Sequence, residues 1–90
     1  MKQARVIIVN KLGLHARAAG KFVNLAKTFV CTVELGSTEA QLIDGKSIMN
    51  VMMLAAAKGT ELMLRTEGAD EVEAFAALDA LIADRFGEDV

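Results

Sequence analysis

A chain of 90 residues, 53% of them hydrophobic, has room for one small domain, which we expect to span residues 1–90. The formal net charge of −2 excludes the basic excess typical of nucleic-acid-binding proteins, and no basic amphipathic face predicts membrane binding. The single cysteine excludes an internal disulfide. No Cys/His cluster has metal-ligand spacing, so we expect no metal site.

The N-terminal segment argues against export. Its apolar run at residues 6–9 is too short for a signal-peptide core, and no membrane-spanning segment follows. We therefore expect a cytoplasmic protein. Cys31 lies in the apolar run at residues 29–33, and we interpret it as a packed strand residue rather than a reactive thiol.

Hydrophobic periodicity predicts alternating strands and helices in the first half of the chain. The β-branched residues at 6–9 indicate a strand. Apolar residues between Ala19 and Ala26 recur at three- and four-residue spacing, which is typical of a helix. The predicted elements up to residue 43 are, in order, a strand at 4–10, a loop at 11–14, a helix at 16–28, and strands at 30–35 and 40–43.

Two helices and one strand are predicted in the second half. Ser47 can cap a short helix that begins at Ile48. The alternation of Leu62 and Leu64 with their neighbours predicts a strand at 60–66. The last helix is predicted at 70–86, where acidic residues in the first turn favour a helix N-terminus. Its predicted apolar stripe consists of Val72, Phe75, Leu78, Ile82 and Phe86.

The order of these elements is β-α-β-β-α-β-α. Short strands alternating with amphipathic helices predict an α+β fold with two layers. We expect three helices on one face of a four-stranded, mainly antiparallel sheet, with the other face exposed to solvent.

The only histidine, His15, stands between a glycine-containing loop and a predicted helix. The first N–H groups of a helix lack intrahelical partners and lie at the positive end of its dipole, which suits phosphate binding. Arg17 can add a charge-assisted hydrogen bond to phosphate oxygens. Neutral imidazole is a competent nucleophile and forms a labile P–N bond. On composition and spacing alone, His15 is more readily interpreted as a surface residue or a helix cap, and Arg17 as a solvated helix residue.

The segment Gly13-Leu14-His15-Ala16-Arg17 resembles the active-site sequence of the histidine-containing phosphocarrier (HPr) family of the bacterial phosphoenolpyruvate-dependent phosphotransferase system. Residues 44–52 are similar to that family's second helix and the loop before it. Residues 57–60 and 67–71 match the family around its last strand. The resemblance thus extends over essentially the whole chain, in register and without large gaps.

The resemblance implies an open-faced β-sandwich with sheet order 1-4-2-3. It also implies that His15 accepts a phosphoryl group on Nδ1 from enzyme I, charged by phosphoenolpyruvate, and passes it to an enzyme IIA-type protein. The backbone amides of Ala16 and Arg17, with the Arg17 side chain, would contact the phosphoryl group. Such a chain is a protein substrate in a phosphotransfer chain rather than a free-standing enzyme, and we expect no cofactor and a monomer.

One position departs from the resemblance. The family usually has proline where this chain has Ala18. Alanine restores an N–H that proline lacks and has the best helix propensity, so we expect the helix start and the chemistry to survive. The sequence of residues 10–17, followed by alanine, resembles the nitrogen-related branch of the family more than the sugar-transport branch. Both branches stay open.

Further residues are predicted to serve regulation and docking. In part of the family the residue matching Ser47 is phosphorylated by a dedicated kinase, so Ser47 is a candidate phosphosite, with a serine kinase/phosphorylase as partner. We predict partner docking at Leu14, Ala18, Met49 and Met52, because adaptable apolar side chains suit several partners. A rival interpretation is a regulatory binding module, in which phosphorylation of His15 or Ser47 sets the affinity for another protein.

Overall fold

The computed structural model describes residues 1–90 and confirms the predicted order of strands and helices. Short 3₁₀ turns lie at Glu39–Gln41 and Arg85–Gly87. The strands are β1 (Lys2–Ile7), β2 (Thr32–Gly36), β3 (Leu42–Asp44) and β4 (Glu61–Glu67), and the helices are α1 (Ala16–Ala26), α2 (Ile48–Met53) and α3 (Glu71–Ala83).

The four strands form one antiparallel sheet in the order β1-β4-β2-β3, as the resemblance implied. Val6 stands opposite Leu62, and Leu35 stands opposite Leu64. These alternate positions are buried beneath the helices, whereas Arg5 on the other face is exposed. The period-two pattern therefore sorts the side chains between a helix-covered face and an open face. No helix here combines the length and the apolar content that a membrane span requires.

Three predicted strands have wrong boundaries. The strand predicted at 4–10 is instead β1, Lys2–Ile7, so residues 8–10 lie beyond its end. The strand predicted at 30–35 begins only at Thr32, and Val30 before it is 79% exposed. The strand predicted at 40–43 is instead the three-residue β3, because a 3₁₀ turn occupies Glu39–Gln41. In all three places, apolar residues lie in a connection rather than in the hydrogen-bonded strand, and composition alone does not distinguish the two.

The predicted apolar stripe of α3 was wrong at Val72, and the predicted end of the helix at residue 86 was also wrong. Val72 is 57% exposed, while Ala74 is fully buried. Alanine is small, so it permits close packing of the helix against the sheet. A prediction based on large apolar residues overlooks such a position. The helix ends at Ala83, and Phe86 has a φ of +54°, in the left-handed region. This turn brings Phe86 into the core, where it is fully buried, and redirects the chain.

Hydrogen bonds to Asp70 link the start of α3 to the connection between α1 and β2. Its carboxylate accepts hydrogen bonds from the backbone N–H groups of Val30 and Cys31, each at 2.9 Å. The bond from Val30 is the main reason that the pKa of Asp70 lies below its ordinary value. Cys31 is buried, as predicted, but lies just before β2 rather than in the strand, and burial raises the pKa of its thiol.

Replacing Asp70 by asparagine is expected to lower the melting temperature near neutral pH, because the ionised carboxylate is the better acceptor. Since the folded-state pKa is depressed, this stabilisation is present above the unfolded value of about 3.9 and is lost as the pH falls through the folded value. Thermal denaturation of both proteins from about pH 7 to about pH 2 should show the two melting temperatures converging in acid.

The matched control for that measurement is Asp79→Asn, since Asp79 is an exposed carboxylate of the same helix. A melting-temperature difference for Asp70→Asn that stays constant down to the lowest pH would contradict the assignment. So would an equal pH dependence in Asp79→Asn.

Candidate functional site

His15 lies immediately before α1 and is its N-cap residue. Its backbone is extended, and its side chain makes no capping hydrogen bond. The loop before it is fixed by Gly13, whose φ of +69° is left-handed, and by the hydrogen bond from Leu14 N–H to the Ala56 carbonyl at 2.8 Å. The imidazole is therefore held at a helix start without being used to cap it.

Three backbone N–H groups at the start of α1 have no protein acceptor. They belong to Ala16, Arg17 and Ala18, and the first amide of the helix that donates is that of Ala19, to the His15 carbonyl at 2.9 Å. Free donors at the positive end of a helix dipole form an anion-binding position. The helix start thus survives alanine at position 18, as expected.

Arg17 is exposed and forms no ion pair. It lines a shallow depression of about 410 Å³ together with Lys21 and the last residues of the chain, among them Glu88. A guanidinium with no carboxylate partner is available for a phosphate group, with which it forms bidentate hydrogen bonds. The depression therefore joins the helix start to the C-terminus of the chain.

The structure adds Glu88 and Asn10, two residues that the sequence analysis missed. The Glu88 carboxylate is hydrogen-bonded to Nε2 of His15. The buried Asn10 side chain donates from Nδ2 to the Gly13 carbonyl and to Glu88 Oε1, both at 2.8 Å. The hydrogen bond from Asn10 is the main cause that lowers the pKa of Glu88, followed by the bond and charge of His15. Glu88 therefore faces the ring as a carboxylate.

Two of the predicted docking residues are unsuited to that role. Leu14 is only 5% exposed and Ala18 is fully buried, and both belong to the hydrophobic core. The reason is packing at the start of α1, where small or apolar side chains fill the space under the helix.

Met49 and Met52, on α2, are 68% and 42% exposed. Ser47 caps α2 as predicted, since its Oγ accepts from Asn50 N–H at 3.3 Å.

Comparison with known proteins decides the family. A family model described as "PTS HPr component phosphorylation site" matches residues 2–84. The chain belongs to the HPr family.

Relatives in this family cover nearly the whole chain. The phosphocarrier protein HPr of Pseudomonas aeruginosa is 56% identical over 88 residues, which are 98% of each chain. The phosphocarrier protein NPr of Proteus mirabilis is 39% identical over 85 residues, which are 94% of each chain. The crystal structure of HPr-C-His from Thermoanaerobacter tengcongensis superposes with a TM-score of 0.92 at 40% identity and covers 100% of both chains.

Membership in the HPr family makes this chain a phosphocarrier of the phosphotransferase system and implies that it interacts with enzymes of that system. Its relatives carry both HPr and NPr names, so sugar transport and nitrogen regulation both fit. The resemblance seen in the sequence is confirmed.

Proposed function

We propose that His15 accepts a phosphoryl group on Nδ1 from phosphoenolpyruvate-charged enzyme I and passes it to an enzyme IIA-type protein. The surroundings of the imidazole support this proposal. The histidine lies beside three amides without acceptors, and Glu88 occupies Nε2, so that Nδ1 is the ring nitrogen without a protein partner.

The chemistry follows from that arrangement. The hydrogen bond to Glu88 favours the neutral tautomer with its proton on Nε2, which leaves the lone pair on Nδ1. This lone pair attacks phosphorus, the Nδ1–P bond forms, and the bond from phosphorus to enzyme I breaks with its electrons returning to the donor. The amides of Ala16 and Arg17 and the guanidinium of Arg17 are suited to bind the phosphoryl oxygens. The reverse sequence delivers the group to the acceptor.

Docking of both partners is proposed to use the exposed methionines of α2. Met49 and Met52 present flexible apolar surface, and methionine adapts to differently shaped partners. A carrier needs such a surface because it must bind and release a donor and an acceptor in turn. We further propose that residues 1–90 act as one domain in the cytoplasm.

Ser47 is retained as a predicted regulatory phosphosite. Ser47 is half-buried, and its Oγ caps α2. A phosphate there would place negative charge at a helix N-terminus while changing the charge of the proposed docking surface. Its partner would be a serine kinase/phosphorylase.

The test is incubation of the purified protein with phosphoenolpyruvate and enzyme I, followed by intact mass spectrometry and peptide mapping. We expect one acid-labile phosphoryl group, located on the peptide that contains His15, and its loss on addition of an enzyme IIA-type protein. No incorporation, or incorporation elsewhere, would overturn the proposal. Incorporation on His15 that no IIA-type protein removes would contradict the carrier step.

A further inference from the structure

The C-terminal segment, residues 85–90, is fixed against the site at several points. Phe86 is fully buried, and its carbonyl accepts a hydrogen bond from Lys21 Nζ at 2.8 Å. The Lys11 backbone N–H donates to a backbone carboxylate oxygen of Val90. Between these points Asn10 holds Oε1 of Glu88, and the second carboxylate oxygen is hydrogen-bonded to Nε2 of His15. Glu88 is thus held on the ring from the side away from Nδ1.

The state of Nε2 matters for a phosphoryl group carried on Nδ1. When the N–P bond breaks, its electron pair returns to Nδ1. If Nε2 carries a proton, the ring leaves as neutral imidazole. If Nε2 is unprotonated, the ring must leave as imidazolate, which is a far poorer leaving group. Release of the phosphoryl group therefore requires a proton on Nε2.

We infer that Glu88 is a positioning residue that retains the proton on Nε2 of His15 throughout the phosphoryl-transfer cycle. On loading, the ring enters with its proton on Nε2 and becomes a phosphorylated imidazolium, which the carboxylate stabilises by charge and hydrogen bond. On release, the same proton stays on Nε2 and neutral imidazole leaves. A carboxylate on the far nitrogen of a reacting imidazole performs this role in catalytic triads. This inference rests on the function proposed above.

Other charged groups around the pair do not replace Glu88. From α1, Arg17 and Lys21 line the adjoining depression, and both are cations that oppose an imidazolium. From the loop after β1, Asn10 is uncharged and Lys11 is a further cation. Asp89 and the backbone carboxylate of Val90 also line the depression, but neither has a hydrogen bond to His15. Glu88 is the carboxylate that contacts the ring, so neutralising it should remove most of the effect.

The experiment measures how fast the loaded protein loses its phosphoryl group as a function of pH. Wild type, Glu88→Gln and the matched control Asp89→Asn are loaded on His15 with phosphoenolpyruvate and enzyme I, separated, and followed by ³¹P NMR. The carboxylate keeps the reactive protonated form populated to higher pH. In Glu88→Gln we therefore expect the midpoint of the pH profile to move down by about one unit. Loss at alkaline pH should be about tenfold slower.

The outcomes separate this inference from the proposed function. Wild type that takes no phosphoryl group on His15 overturns the proposed function, and this inference with it. If all three proteins load and the profile of Glu88→Gln coincides with wild type, or moves no further than that of Asp89→Asn, the role of Glu88 is overturned and the carrier function stands. A ¹H–¹⁵N spectrum of the single histidine gives an independent readout. A hydrogen bond to a carboxylate changes the chemical shift of the Nε2–H proton, and this change should be lost in Glu88→Gln alone.

Discussion

Replacing His15 by alanine is expected to reduce phosphoryl incorporation to background. The chain has one histidine, so no second imidazole can take over as nucleophile. The fold should persist, because the His15 side chain is 27% exposed and makes no capping hydrogen bond to α1. We expect circular dichroism of His15→Ala to match that of wild type, while mass spectrometry after incubation with enzyme I and phosphoenolpyruvate shows no acid-labile phosphoryl group.

The matched control is Arg17→Ala, which keeps the nucleophile and removes the guanidinium. A hydrogen bond to a charged group contributes about 1.5–3 kcal/mol, so loading should slow by roughly 10- to 100-fold and still go to completion. Acid-labile phosphorylation of a folded His15→Ala protein would contradict the assignment of the nucleophile. Complete loss of loading in a folded Arg17→Ala protein would contradict the division of roles.

The second large effect is expected for Gly13→Ala, which should destabilise the fold and displace the loop before His15. A Cβ at Gly13 would lie 2.4 Å from the Ala56 carbonyl oxygen and 2.9 Å from the Ala57 Cα, both backbone atoms. The φ of +69° adds a cost of about 1–2 kcal/mol for any side chain. Together we expect a loss of about 3 kcal/mol or more, which is a fall in melting temperature of at least about 12 °C.

Gly59→Ala separates the two causes. Gly59 also has a positive φ, +90°, but no atom lies within 4 Å of its added Cβ. Gly59→Ala should lose only the free energy of the unfavourable backbone conformation, at roughly 4–8 °C of melting temperature per kcal/mol. The total fall should therefore be clearly smaller than for Gly13→Ala. Equal shifts in the two variants would show that the close approach at Ala56 contributes nothing.

Much of the fold follows from local patterns in the sequence. Helix α1 begins at Ala16 as predicted, because its apolar spacing is regular and its glycine loop marks the start. The order of elements is also confirmed. The sheet order came from the family resemblance rather than from periodicity, because short strands carry no information about which of them pair. The end of α3 was missed because Phe86 continues the apolar spacing while its backbone turns into the left-handed region.

The site was predictable only in its local part. His15, Arg17 and the helix start are neighbours along the chain, so their proximity follows from the sequence. Glu88 lies 73 residues from His15 and 78 from Asn10, and no motif connects them. Their contact depends on the turn after α3 and on the burial of Phe86, which are properties of the whole fold. The assignment of Leu14 to docking was wrong for a similar reason. Its burial depends on tertiary packing, which the local sequence does not reveal.

The most direct test is to identify the atom that carries the phosphoryl group. With one histidine in the chain, an NMR spectrum of the ¹⁵N-labelled, enzyme I-loaded protein can assign it without ambiguity. We expect a one-bond ³¹P coupling to Nδ1 of His15, with the proton on Nε2. Coupling to Nε2, the nitrogen hydrogen-bonded to Glu88, or a phosphoryl group on any other residue, would overturn the proposed role of His15.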